Sequence, residues 1–184
     1  MITLTGFMGS GKTTVGKVLA DFLGCPFMDL DDLVVKKAGK SIPDIFAQDG
    51  EPAFREIEAQ VLRKTVAKYA ESTAVLALGG GAVLAPASAA LLQDKTVCIY
   101  LRATLETLLA RLAGETAGRP LLQEIPDQVG DDGGSVVMPG PDRASVSARL
   151  ASREPIYEKT AHVIIDTDGL SPDEVADEII ISAL

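Results

Sequence analysis

The sequence predicts a three-layer α/β/α fold, with helices on both faces of a five-stranded parallel sheet. Three observations predict it. Five short apolar runs (2–5, 26–28, 74–78, 96–101 and 162–166) alternate with longer stretches of helical spacing. Strands separated by helices need crossover connections, which make the strands parallel. A glycine-rich loop follows the first run without a gap. The length of 184 residues, 47% hydrophobic, is one domain with some excess to place.

The elements follow in order. Ile2–Thr5 is the first strand, closed by Gly6. A helix is expected over Lys12–Leu23, a strand over Pro26–Met28 and a helix over Asp31–Ala38, whose N-cap Asp31 or Asp32 would serve, Asp32 being the more cap-like. Pro43–Asp49 and Pro52–Tyr69 read as two helices. The second has apolar Ile57, Val61, Leu62 and Val66 on one face and Arg55, Glu56 and Glu58 on the other. Ala74–Leu78 is a strand that ends in three glycines, 79–81, and a helix follows at Pro86–Leu92. Thr96–Leu101 is a strand, Leu105–Ala113 a helix, Ala144–Thr160 a helix, His162–Asp166 a strand and Pro172–Ala183 a helix. Residues 123–142, QEIPDQVGDDGGSVVMPGPD, break the pattern and read as a long loop.

Composition excludes several classes. Seventeen Lys and Arg against 26 Asp and Glu give a net charge of −9. That balance argues against nucleic-acid partners and anionic membranes, which favour basic surfaces. A small anionic ligand held by a few focused cations is still allowed. One histidine and two cysteines supply neither a disulfide framework nor a Cys/His zinc cluster. His162 reads as structural, and Cys25 and Cys98 as small apolar packers. Separated cysteines, no signal or transit segment and no run of 18 apolar residues suggest a reduced, cytoplasmic setting.

Gly6-Phe7-Met8-Gly9-Ser10-Gly11-Lys12-Thr13 fits G-x-x-x-x-G-K-[ST] between a strand and a helix. Glycines let the backbone curl until successive N–H groups face phosphate oxygens. The following helix adds its N-terminal N–H groups and dipole. Gly9, Ser10, Gly11, Lys12, Thr13 and Thr14 are therefore candidate ATP contacts, with Lys12 on the β- and γ-phosphates and the Thr13 hydroxyl on Mg²⁺. Asp29 and Asp31 stand at the carboxyl end of the second strand, where open α/β sheets bind ligands. They alternate around Leu30, so both can face one cleft. One suits a site near Mg²⁺ and the other suits accepting a substrate hydroxyl proton.

GFMGSGKTT (6–14), FMDLDDLV (27–34), IPDIFAQDGEPAFREIE (42–58), LALGGGAVL (76–84), GRPLL (118–122), REPIYEKTA (153–161) and IIDTDGLSP (164–172) together resemble the shikimate kinases. These are small P-loop kinases with a fold like that of nucleoside-monophosphate kinases. The resemblance covers nearly the whole chain, and the GE, FR, E and triple-glycine combination is its most specific part. It implies transfer of phosphate from ATP to the 3-hydroxyl of shikimate, giving shikimate 3-phosphate for aromatic amino-acid biosynthesis. It implies that Asp31 binds the ring hydroxyls and acts as base, and that Asp29 assists Mg²⁺ through water. Arg55 and Arg153 would clasp the substrate carboxylate, a task that suits the planar guanidinium fork. Glu58, three residues after Arg55, can orient it. Gly79, Gly80 and Gly81 would let the backbone approach the ring, with Phe46 and Phe54 as apolar walls. Arg119 would close over the phosphates from a hinged lid with Gly114, Gly118 and Pro120, and Arg111 and Pro172 would sandwich adenine.

The family reading divides the chain into a substrate-binding subdomain at 31–62 and a lid at 113–142, and it expects a monomer. The acidic stretch 123–142 is the departure. It carries five acids and no bases, so it holds −5 of the −9 charge. Two rivals remain at this level: a P-loop kinase of another polyol acid such as gluconate, and a non-catalytic nucleotide-binding module.

Overall fold

The computed structural model describes residues 1–116 and 142–183; for Glu115 and Thr116 it describes the backbone alone. Arg119, Gly118, Pro120 and all of the segment 123–142 except Asp142 lie outside the described residues. Five strands form one parallel sheet: β1 (Ile2–Thr5), β2 (Phe27–Asp29), β3 (Val75–Ala77), β4 (Val97–Arg102) and β5 (Val163–Asp166), in the order β2-β3-β1-β4-β5. The helices are α1 (Lys12–Phe22), α2 (Leu30–Ala38), α3 (Ile42–Lys68), α4 (Pro86–Lys95), α5 (Leu105–Thr116), α6 (Arg143–Thr160) and α7 (Pro172–Ala183). Among the described residues, no helix is long and apolar enough to cross a membrane.

Alternation along the strands divides the core in two. Ile2 and Leu4 of β1, Val75 of β3, and Ile99 and Leu101 of β4 pack with Val15 and Leu19 of α1 and Val175 and Ile179 of α7. Leu76 of β3, together with Cys98 and Tyr100 of β4, faces the other way. They pack with Leu30 and Val34 of α2, Leu62 and Val66 of α3, Leu92 of α4 and Tyr157 of α6. Successive residues of a strand point to opposite faces, so one sheet serves both cores. Gly16 marks how closely α1 approaches the sheet: a Cβ there would stand 2.6 Å from the Phe27 ring.

Three expectations need correction. The strand expected at Pro26–Met28 sits one residue later, so Asp29 ends it, and Asp29 rather than Asp31 or Asp32 caps α2. The cap forms because Asp29 keeps extended dihedrals and its carboxylate accepts the Asp31 N–H at 3.0 Å. The two helices expected at 43–49 and 52–69 run together as α3, interrupted only at Gly50, where φ is 80° and ψ 169°. Positive φ is open to glycine at little cost, and Pro52 tolerates the bend because it opens the second half. Finally, α5 continues through Gly114 to Thr116, so the first residues of the expected lid are helical.

His162 is structural, as expected. Its Nδ1 accepts the Cys98 N–H at 3.0 Å and its Nε2 donates to the Gln93 carbonyl at 3.0 Å, which joins α4, β4 and the start of β5. Both cysteines are free, and burial pushes the Cys98 thiol up to about 11.

Candidate active site

The strand order sets the site. From β1 the chain crosses to β2, and from β3 it crosses back past β1 to β4. Connections therefore leave β1 and β3 in opposite directions. Such a switch point opens a crevice at the carboxyl ends of the two strands. The loop after β1 is the glycine-rich one, and the loop after β3 is Gly79–Gly81.

The phosphate loop has the geometry its glycines permit. At Gly6 (φ 145°) a Cβ would stand 2.7 Å from the Leu101 carbonyl, so this position excludes a side chain. Gly11 (φ 93°) is the N-cap of α1 and offers no side chain of its own. No acid lies in the first turn of α1, and Thr13 and Thr14 there are exposed. The helix thus presents its N–H groups and positive end to solvent, as anion binding requires. Lys12 Nζ arches back over the loop, donating to the carbonyls of Gly6 at 2.9 Å and Phe7 at 2.8 Å.

The acids after β2 meet this loop. Thr13 Oγ1 donates to Asp29 Oδ2 at 2.9 Å, while Asp29 Oδ1 caps α2. A hydroxyl and a carboxylate side by side are hard oxygen donors of the kind Mg²⁺ prefers, so the pair fits that ion. Asp31, in the first turn of α2, is mostly buried. Burial raises its pKa from the ordinary aspartate value, and the charge of Asp29 adds to the rise against the pull of Lys12 and Arg55.

Two cavities adjoin here. The larger, about 740 Å³, is bordered by Lys12, Thr13 and Thr14, by Asp29 and Asp31, and by Gly79 and Gly80. The smaller, about 290 Å³, lies on the other side of Gly9, Ser10 and Gly11 and is closed by Arg111, Thr167 and Pro172. Arg111 holds that corner together. Its Nη1 donates to Thr167 Oγ1 at 3.1 Å and to the carbonyls of Gly9 and Ser10 at 3.4 Å, and its Nη2 to the Thr167 carbonyl at 2.8 Å. Pro172 is set by a capping box: Ser171 N–H donates to Glu174 Oε2 at 2.8 Å and Glu174 N–H to Ser171 Oγ at 3.3 Å.

The glycine strip brings the arginines in. A Cβ on Gly81 would stand 2.6 Å from Arg55 Nη1, and one on Gly80 would stand 3.8 Å from Arg153 Nη1. A Cβ on Gly79 would meet Asp31 Oδ1 at 2.8 Å and Glu58 Oε1 at 3.2 Å. Side chains are thus crowded at Gly79 and Gly81, where two acids and a cation come closest. Arg55 Nη1 pairs with Glu58 Oε2 at 3.0 Å and its Nε with Glu51 Oε1 at 3.2 Å. Burial works against the Arg55 charge, but the two glutamates outweigh it and hold its pKa up. Glu58 was read on the polar face of its helix, yet it is 5% exposed. Burial raises its pKa, and Arg55 opposes that rise. Phe46 and Phe54 stack at 4.8 Å across the Gly50 break, with Arg55 5.1 Å from the Phe54 ring. Phe54 is largely in the core. Arg153 lies 5.9 Å from the ring of Phe7.

The structure therefore brings together Lys12, Thr13, Asp29, Asp31, Arg55, Arg153 and the three glycines, and separately Arg111 with Pro172. Arg119 lies outside the described residues. Sequence reasoning counted Glu51 in the GE motif but gave it no role, which an i,i+4 spacing to Arg55 could have signalled. It also assigned no role to Tyr157, whose hydroxyl donates to the Gly80 carbonyl at 2.6 Å. That contact is 77 residues away in sequence, and no local signal marks it.

Comparison with known proteins agrees over nearly the whole chain. The family model described as shikimate kinase matches residues 8–183. The shikimate kinase of Salinibacter ruber is 43% identical over 91% of this chain and 76% of its own length. That of Enterococcus faecalis is 40% identical over 97% of this chain and 95% of its own. Among solved structures, shikimate kinase from Acinetobacter baumannii in complex with shikimate superposes with a TM-score of 0.78 at 33% identity, covering 97% of this chain and 89% of that one. A gluconokinase from Sinorhizobium meliloti shares the fold at TM-score 0.53 and 16% identity.

Proposed function

The chain belongs to the shikimate kinase family and is by that membership an ATP-dependent kinase, and from this premise we propose how its residues divide the work. Shikimate enters the larger cavity with its carboxylate toward Arg55 and Arg153 and its ring against Gly79–Gly81. Phe46 and Phe54 support that wall, and residues 31–62 act as the substrate-binding subdomain. Asp31 accepts a hydrogen bond from the attacking 3-hydroxyl and takes its proton. Burial and the neighbouring Asp29 charge raise its pKa, which makes its carboxylate a stronger proton acceptor than an ordinary aspartate.

The ATP phosphates lie on the N–H groups from Gly9 to Thr14. Lys12 exchanges its bonds to its own loop for the phosphate oxygens and neutralises the charge moving between them. Thr13 and Asp29 would hold Mg²⁺, which when bound supplies positive charge at the phosphate oxygens. The smaller cavity takes adenine between Arg111 and Pro172.

One observation carries this reading: Lys12, Asp31, Gly79 and Gly80 border a single cavity at the junction of β1 and β3. Catalysis there is mostly positioning and electrostatics. The free thiols of Cys25 and Cys98 fit a reducing, cytoplasmic setting, and the monomer expected for the family is tested by sedimentation.

The deciding experiment measures ADP release with ATP and Mg²⁺ against shikimate, gluconate and nucleoside monophosphates. Turnover with shikimate alone is expected. Turnover with gluconate in its place would overturn the substrate. ATP binding without any turnover would leave a nucleotide-binding module.

A further inference from the structure

Tyr157 has no part in the roles assigned above, yet it touches two of the groups that carry them. It sits on α6 one turn after Arg153 and is fully buried, with its ring 5.2 Å from that of Tyr100. A phenol at that depth needs a partner for its hydrogen. It finds the Gly80 carbonyl at 2.6 Å. The Arg153 guanidinium lies beside the Tyr157 hydroxyl as a hydrogen-bonding neighbour, and it opposes the rise that burial gives the phenol's pKa. At the place where a Cβ of Gly80 would stand, the Tyr157 hydroxyl is 3.7 Å away and Arg153 Nη1 3.8 Å away. Glycine strip, phenol and guanidinium therefore converge on one point.

We propose that Tyr157 is a positioning residue for the substrate carboxylate, its one hydroxyl fixing both the Gly80–Gly81 peptide and the Arg153 fork. A guanidinium pairs well with a carboxylate only when the two planes are aligned, so a group that fixes its rotation adds to affinity. A trans peptide points its C=O and the following N–H in opposite directions. Drawing the Gly80 carbonyl toward α6 therefore turns the Gly81 N–H away from α6. The ring of Tyr100 sets the phenol's plane and makes no such contact with the strip. This inference rests on the placement of the carboxylate between Arg55 and Arg153.

The test is Tyr157→Phe, which keeps the ring and its stack and removes only the hydroxyl. The shikimate KM is expected to rise ~10-fold, the size of one lost hydrogen bond at a charged group, with the ATP KM unchanged. The rise in Tm on adding shikimate should shrink, and the rise on adding ADP should persist. Tyr100→Phe removes a hydroxyl from the same stack and is expected to leave the shikimate KM alone. An unchanged shikimate KM in Tyr157→Phe, or an equal rise in Tyr100→Phe, overturns the proposal.

Arg153→Ala separates the two levels. If it leaves the shikimate KM unmoved, the carboxylate placement itself fails. If it raises that KM while Tyr157→Phe does not, only the role of Tyr157 fails. Should Tyr157→Phe not fold, a fluorinated tyrosine at 157 keeps the shape and ionises at lower pH. Its shikimate KM should then rise with pH earlier than that of the unmodified enzyme, because a phenolate cannot donate to Gly80. Ionisation of the fluorinated phenol, followed by its ultraviolet absorbance, with no accompanying rise in shikimate KM overturns the proposal.

Discussion

Replacing Arg55 with alanine removes a cation held by two glutamates in different surroundings. Glu51 has a side chain 50% exposed, and its pair with Arg55 contributes about 0.2–1 kcal/mol. Glu58 has a side chain 6% exposed and faces Gly79 beside Asp31. Stranding such a buried charge costs about 3–5 kcal/mol if it stays ionised. Glu58 escapes part of that cost by taking up a proton. Burial already raises its pKa and Arg55 opposes the rise, so without Arg55 it climbs further.

The sign follows from the direction of the shift. A carboxyl with a folded pKa above its unfolded value, about 4.3, favours folding fully below that value and loses the advantage as pH rises through the folded one. The Arg55→Ala enzyme should therefore lose little stability near pH 4 and progressively more toward pH 8. In kinetics, Arg55 is one-third exposed, so the lower part of the range for a truncated charge pair applies. About 2–3 kcal/mol raises the shikimate KM roughly 30- to 150-fold. Urea unfolding at several pH values and steady-state kinetics with each substrate varied test both halves. Equal effects on the two KM values, or a stability loss independent of pH, would refute the reasoning.

Three further outcomes are expected. Gly81→Ala pushes a methyl to 2.6 Å from Arg55 Nη1, so the guanidinium must swing; shikimate KM should rise ~10-fold with stability changed by less than about 1 kcal/mol, because only a flexible side-chain end moves. Gly16→Ala drives a methyl into the Phe27 ring and should cost about 1–3 kcal/mol in urea unfolding, less the gain from replacing a helical glycine, with both KM values unchanged. The acid limb of the kcat profile should lie above the ordinary aspartate value of about 3.9, activity rising with pH as Asp31 deprotonates; Asp31→Asn should lose ~10²- to 10⁴-fold and the limb with it, and a limb that survives would assign it elsewhere.

The sheet was legible because each strand is a short apolar run set between longer stretches of helical spacing, with Gly6 closing the first and Gly79 the third. The phosphate loop was legible because its glycines, lysine and threonine are contiguous. Boundaries slipped where two structures compete for one residue. Asp29 both ends a strand and caps a helix, and Gly50 turns the backbone without ending α3. Glu58 was misplaced because a helical pattern separates polar from apolar but cannot see that a buried partner, Arg55, makes an acid welcome inside. The strand order and the Tyr157 contact depend on crossovers between residues far apart in sequence, where local pattern is silent.

The central position of β1 bears on the order in which this protein is made. Ile2 pairs with Val75 on one side and with Val97 on the other. At roughly 5–20 residues per second of synthesis, β1 waits several seconds for its first neighbour and longer for its second. Pairings of such long sequence separation also form slowly. The glycine-rich loop hangs from that strand, and Arg111, Thr167 and Pro172, which close the smaller cavity beside it, all follow β4 in the chain. On the proposed placement of adenine, that cavity is complete only once α7 is made, so a ligand bound there would favour the finished sheet over any shorter chain.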